Sequence, residues 1–350
     1  MILEDGPVDP RVSNVHHMDE RGVWATRGRD ILFRAPEDAD WRRIGRFPLA
    51  LPQDLASPSR HARRVLRLER SNVFPTRGGR VFGLRGGRAY RIEDGRAEPL
   101  FTIRGDCVMN RAIAESEDGD LYFGEYFMNP GRVPVRIWRV SADLERFEVA
   151  AELDSPRVRH VHAVHVDPFR PGRLWVTNGD FEGECHIAYS DDGFRTIEWL
   201  GDGTQTWRTV GLIFQEERIC WMTDTHLEQN RVVTMDRESG ALAFHGERDA
   251  STWYQAETTD GRYLATSCVE PGPGIQTRDC RLMVSENATD WTTVARYPKD
   301  ALPFRFFGFG FLSLPSGRFS SEDFWLSGGG VVGLDDVARR CRVAAGTGAG

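Results

Sequence analysis

An all-β chain closed into a single β-propeller of about seven four-stranded antiparallel blades is what this sequence predicts, on three observations. Short apolar runs bounded by Gly, Asp and Pro recur from end to end, without sustained helical periodicity. One such run, usually carrying an aromatic, returns about seven times at intervals of roughly 40 to 60 residues, the period of propeller blades. Its copies are VWAT at Val23, VFGL at Val81, LYFG at Leu121, LWVT at Leu174, ICWMT at Ile219, YLAT at Tyr263 and FWLS at Phe324. Each copy is preceded by an inner-strand candidate and followed by a third-strand candidate, always in that order. A β-sandwich or two stacked β-domains is the alternative that the same runs permit.

The unit is clearest from Arg159 to Trp199. An alternating run with three histidines meets a Pro/Gly turn, LWVT leads into NGD, and HIAYS enters the tight turn SDDGFRT before a fourth strand. One such sheet cannot bury both of its faces, so it needs the other copies. The inner strands are VHHM at Val15, NVFP at Asn72, NRAIA at Asn110, HVHAV at His160, RTVGLIF at Arg208, YQAE at Tyr254 and FGFGFLSL at Phe307. The third strands are ILFRA, AYRI, IWRV, HIAYS, VVTM, RLMVS and GVVGL. Residues 1–335 are expected to form the propeller. Pro48 to Pro58 reads as a linker followed by an arginine-rich strand, and residues 336–350, DVARRCRVAAGTGAG, as a flexible tail.

Composition narrows the function. The net charge of -7 gives no reason to expect a nucleic-acid partner, and arginine carries nearly all the positive charge, Lys299 being the one lysine. Six cysteines without a CxxC pair read as free thiols of a reducing compartment, although Cys268 and Cys280 would suit a bridge in an exported protein. No signal-peptide pattern or membrane-spanning run is visible, so no membrane partner and a cytoplasmic location are expected for the chain as written. A trimmed leader would make it an exported one. The glycine-rich stretches at Gly83 and Ser327 precede no helix and fail as phosphate cradles.

The turn after the third strand carries chemistry of its own. SDDGFRT, from Ser190 to Thr196, resembles the Asp-box S-x-D-x-G-x-T-W of the BNR-repeat, sialidase-like propellers. Ser190, Asp192 and Thr196 match, whereas Phe194 stands at the box glycine and Ile197 at the box aromatic. Weaker versions end at Trp41, Phe147 and Trp291. The resemblance implies a propeller whose Ser and Asp side chains bond turn amides and fix hairpins. It identifies no activity. A sialidase would add an arginine triad, for which Arg111, Arg208 and Arg305 are the candidates, and a Tyr–Glu pair. FRAP at Phe33, similar to a sialidase motif, falls on a third rather than an inner strand.

In an up-and-down blade, first-strand starts and second-strand ends share one face, and the Asp-box turns lie on the other. The first-strand starts bring Asn110, Arg111, Arg159, His160, His162, Trp207, Arg208, Trp253, Tyr254 and Arg305 to that face. The second-strand ends add Glu125, Tyr126, Asn178, Asp180, Asp224, His226 and Glu270. His160 and His162 alternate onto one side of their strand and His165 onto the other. Convergence of acids, bases, arginines and aromatics is what acid/base chemistry or recognition of an anionic ligand requires.

Glu125, His160, His162, Asp180 and Asp224 are therefore the catalytic candidates. Asn110, Arg111, Arg159, Trp207, Arg208, His226, Tyr254 and Arg305 are the substrate-binding candidates. The carboxylates suit a glycosidase pair, and the histidines suit the base of an elimination in which arginine neutralises a uronate. The competing readings make the same residues loop caps, structural histidines and packing aromatics. A carbohydrate-active enzyme acting on an oligo- or polysaccharide, hydrolase or lyase, is expected, with a non-catalytic glycan- or protein-binding propeller as the alternative. No cofactor is expected, but His160 and His162 with Glu125 or Asp180 would suit a divalent metal.

Overall fold

The computed structural model describes residues 1–50, 54, 59–154 and 158–344. Their strands form seven four-stranded blades around a central axis. Blade 1 runs through Asn14–Asp19, Gly22–Arg27, Asp30–Arg34 and Arg42–Arg46. Blade 2 comprises Asn72–Pro75, Val81–Arg85, Arg88–Glu93 and Arg96–Thr102. Blade 3 comprises Ala114–Glu115, Leu121–Gly124, Val135–Val140 and Phe147–Leu153. Val161–Val166, Leu174–Asn178, Cys185–Ser190 and Glu198–Gly203 make blade 4. Ile213–Phe214, Arg218–Met222, Asn230–Asp236 and Leu242–Arg248 make blade 5. Blade 6 is Ser251–Glu257, Tyr263–Val269, Asp279–Ser285 and Thr292–Pro298.

Blade 7 takes Gly310–Ser313, Phe324–Gly329 and Ala338–Ala344 from one end of the chain and Ile2–Asp9 from the other. The terminal strands pair antiparallel from Ile2 opposite Ala344 to Asp9 opposite Ala338, and this pairing closes the ring. Two contacts reinforce the join to blade 1. Ser316–Gly317 pairs parallel with the inner strand of blade 1, and the Arg34 guanidinium lies 5.1 Å from the ring of Trp41 and 4.9 Å from that of Trp325. Gly317 sits at φ +89, where a Cβ would meet the Met18 carbonyl oxygen at 2.3 Å. Only glycine fits there.

The middle strands read as apolar runs because each blade lies between two others, so both of their faces are covered. Phe82, Phe123, Trp221 and Phe324 are fully buried in these layers, each stabilising the fold by about 1.5–3 kcal/mol. The outermost strands of blades 3 and 5 are largely exposed or half-buried. All six cysteines are buried and free, Cys268 and Cys280 included.

Four expectations need correction. GVVGL is not a strand. The third strand of blade 7 is Ala338–Ala344, inside the segment read as a flexible tail, and it buries Ala338, Cys341 and Val343. Residues 345–350 lie outside the described residues. The arginine-rich segment after the linker is a helix, Arg60–Val65, whose first turn is capped by Ser59 accepting from the Ala62 amide. Of the linker itself, residues 51–53 and 55–58 lie outside the described residues, and Asp54 is buried against Arg85 at 2.6 Å. The inner strands of blades 3 and 5 are two residues long, shorter than NRAIA and RTVGLIF implied. Finally, no described helix is long and apolar enough to cross a membrane.

Candidate functional site

The cluster begins where blade 3 meets blade 4. Gly124 ends the second strand of blade 3, and a Cβ there would sit 2.3 Å from the Val161 side chain. This close approach lets the Val161 amide donate to the Glu125 carbonyl at 3.1 Å and brings the Tyr126 ring 4.3 Å from that of His160. His160 and His162 then project to one side of their strand. Nδ1 of His160 donates to the Phe127 carbonyl at 2.9 Å, and Nδ1 of His162 to the Thr209 carbonyl at the same distance. A carbonyl only accepts, so both Nδ1 atoms carry protons and both Nε2 atoms point into the cluster, 3.2 Å apart. His165 faces elsewhere, its Nε2 3.1 Å from the Val210 carbonyl.

Asp180 enters from the end of the second strand of blade 4. The preceding Gly179, at φ +141, has no room for a Cβ, which would meet Cys185 Sγ at 2.9 Å. The turn therefore aims the carboxylate inward. Asp180 lies 3.4 Å from each histidine Nε2 and 3.1 Å from Nη2 of Arg208, and it pairs with Nη1 of Arg159. Burial raises its pKa, but the histidines and Arg208 outweigh that and hold it well below the usual carboxylate range.

Blades 5 and 6 supply the rest. Nη1 of Arg208 donates to the Asp180 carbonyl at 3.0 Å and lies 3.2 Å from Nδ1 of His226. His226 is 3.7 Å from Glu270, which accepts from Ser251 at 2.8 Å. Burial lowers the His226 pKa, opposed by Glu270. Nε of Arg208 is 3.7 Å from Asp224, too far for a hydrogen bond. Burial pushes Asp224 up to about 7, with Glu270 adding to the shift and Arg208 opposing it. The Arg208 Nε and Asp224 Oδ1 are both buried without a hydrogen-bond partner among the described residues.

The structure thus brings together Arg159, His160, His162, Asp180, Arg208, Asp224 and His226. It sets the other candidates apart. Glu125 is completely buried, and its carboxylate accepts from the Arg104 amide at 3.0 Å, the Arg136 amide at 3.3 Å and the Trp138 indole at 3.3 Å. It is a bracket between blades. Asn110 crosses the channel to Asn14 at 3.1 Å and to Ser313, while Arg111, at φ +61, donates to the Pro315 carbonyl. Trp207 packs on Trp221 with ring centroids 5.6 Å apart and under Gly201. Tyr254 is buried in the largest core cluster, and Arg305 is exposed on the short helix Phe304–Phe307 over Phe306. Arg111, Arg208 and Arg305 accordingly have separate surroundings and do not make a clamp. Glu270 and Tyr126 belong to the cluster, as their place at second-strand ends signalled. The carbonyls of Phe127 and Thr209 had no side-chain signal at all.

The turns on the opposite face are held by side-chain-to-amide hydrogen bonds. Ser190 accepts from the Phe194 amide at 2.7 Å, and Asp192 accepts from the Thr196 amide at 2.9 Å and its hydroxyl at 2.8 Å. Ser285 with Asn287 repeats the pattern toward Ala288 and Asp290, and Ser141 with Asp143 toward Arg146 and Glu145.

No protein-family model and no curated protein matches this chain. Solved structures do. The extracellular domain of a putative one-component system from B. thetaiotaomicron aligns at TM-score 0.57 and 10% identity, covering 97% of this chain and 39% of that one. A structure described as YCF48 bound to a D1 peptide aligns at TM-score 0.57 and 10% identity, covering 100% of this chain and 98% of the other. The chain therefore spans about two-fifths of the first neighbour and nearly all of the second. At these identities the likeness is one of propeller fold.

Proposed function

We propose that the chain is a propeller enzyme of the sialidase-like, Asp-box kind directed at an acidic glycan, and that its reaction is the elimination of a uronate-linked sugar. The reading rests on one observation. The Nε–H of Arg208 lies 3.7 Å from Asp224 Oδ2, and that N–H and the other Asp224 oxygen, Oδ1, are both buried without a hydrogen-bond partner among the described residues, a cationic donor near a basic acceptor. In the proposed step Arg208 neutralises the uronate carboxylate and Asp224 takes the proton from the adjacent carbon. That electron pair closes a C=C bond, the glycosidic C–O bond breaks, and the abstracted proton ends on the leaving oxygen. A carboxyl near 7 is matched to such a task. Hydrolysis by a carboxylate pair fits less well, because Glu125 is enclosed by donors and Asp180 is clamped by two guanidiniums.

A second reading, binding without turnover, draws on that same clamp and on the apolar rim beside it. Met128 is 69% exposed and Phe181 40%, and Arg159 stacks 4.9 Å from the Phe181 ring. Incubation with a panel of acidic and neutral polysaccharides separates the readings. Elimination gives an ultraviolet-absorbing unsaturated sugar from acidic substrates only, and Asp224→Asn lowers its rate by about a hundredfold or more. Saturated products would mean hydrolysis, and binding with no product would mean recognition alone. Either result overturns the elimination.

A further inference from the structure

We propose that His160, His162 and Asp180 bind a divalent transition-metal ion of the zinc class at the mouth between blades 4 and 5. The inference goes beyond the glycan reading and does not depend on it. It starts from the tautomers. Both Nδ1 protons are committed to main-chain carbonyls, those of Phe127 and Thr209, each at 2.9 Å. The two Nε2 atoms then face each other across 3.2 Å with an Asp180 oxygen 3.4 Å from each, a set of donor atoms converging on one point where a cation would stand. A histidine that ligates a metal through one nitrogen nearly always donates its other N–H in this way.

The distances fit the same conclusion. A tetrahedral ion with ligands at about 2.0–2.1 Å sets neighbouring donor atoms about 3.3 Å apart. Here the Nε2 atoms are 3.2 Å apart and each lies 3.4 Å from an Asp180 oxygen. All three groups lie within 4.8 Å of one another. Two imidazoles and one carboxylate select zinc-class ions over calcium or magnesium, which prefer all-oxygen shells. The support is equally fixed: Tyr126 packs on His160, and Arg159 and Arg208 each pair with one oxygen of the carboxylate. The Asp180 carboxylate beside the two histidines supplies negative charge for a cation. The Asp180 side chain is 13% exposed, which gives an ion a path from the open face.

The rival cation is a proton shared by the two imidazoles, and metal titration distinguishes them. The full chain, stripped with a chelator, is titrated with Zn²⁺ by calorimetry and with Co²⁺ by visible absorption. One ion per chain is expected, with the intense Co²⁺ bands of a four-coordinate site. His160→Ala and His162→Ala should each weaken Zn²⁺ binding by at least about a hundredfold, the most that loss of an outer partner costs. His165→Ala, whose imidazole contacts the Val210 carbonyl, should leave it unchanged. Absence of one-to-one binding by the unaltered protein, or binding indifferent to both alanine variants, overturns the proposal. The unaltered protein carries the first result, so a variant that misfolds cannot hide it. No glycan is present, so a failure here is separate from a failure of the elimination.

Discussion

Asp224 is buried 3.7 Å from a guanidinium, yet its carboxyl titrates near 7, because loss of water outweighs an attraction that never becomes a hydrogen bond. The folded protein therefore binds a proton here that the unfolded chain, with its ordinary value of 3.8, does not. Stability from this group rises as pH falls from about 7 toward 4 and is lost as pH rises through 7. Asp224→Asn removes the dependence. Relative to the unaltered protein, the Asn variant should gain at most about 4 kcal/mol at pH 8, and the gain should shrink steadily toward pH 4. Urea unfolding across that range measures the difference, and a constant difference would contradict the assignment. The place of Asp224, His160 and His162 was legible because strand alternation and strand ends dictate where a side chain points. Glu125 stands at an equivalent strand end, but amides of residues 104 and 136 enclose it, and an amide leaves no mark in a sequence.

Turns and strands were legible where side chains set them, and obscure where charge disguised a buried face. Ser190, Asp192 and Thr196 announce their hairpin because the side chains make its hydrogen bonds. Phe194 occupies the left-handed position at φ +69 and is 2% exposed, its ring packed toward blade 3. Leu144 and Ala288 do the same in their turns, at φ +60 and +64. The left-handed residue of the turn thus serves as a buried interblade plug. Ser190→Ala leaves the buried Phe194 amide without its acceptor and should cost about 1–3 kcal/mol in chemical denaturation. No loss would show that the turn is held by backbone alone. Gly124→Ala should destabilise by about 1–3 kcal/mol through its overlap with Val161. By contrast, Ala338–Ala344 carries Arg339, Arg340 and Arg342 between its buried residues, and that charge hid the strand.

Closure gives the ring its single axis. The strand Ile2–Asp9 covers Ala338–Ala344, and without it blade 7 would end in an unpaired edge. Deletion of residues 1–9 should lower the thermal unfolding temperature and drive association through that edge, as followed by calorimetry and size-exclusion chromatography. An unchanged, monomeric transition would show that closure rests on the contacts with blade 1. The seven-fold repeat was legible because each blade must bury the same faces. The polar cluster could be anticipated only as a set of positions on one rim, since ring packing decides which of them share a space. Asn110 and Arg111 share the rim in sequence terms, yet they bridge across the channel to blades 1 and 7.

Titration calorimetry of an oligouronate, with a neutral oligosaccharide of equal length as control, bears most directly on the claim that the blade 4–5 mouth takes an acidic ligand. The uronate should bind the unaltered protein and lose at least about tenfold in affinity in Arg208→Gln, with the neutral control silent. Equal binding of both sugars, or uronate binding that survives Arg208→Gln unchanged, would contradict it.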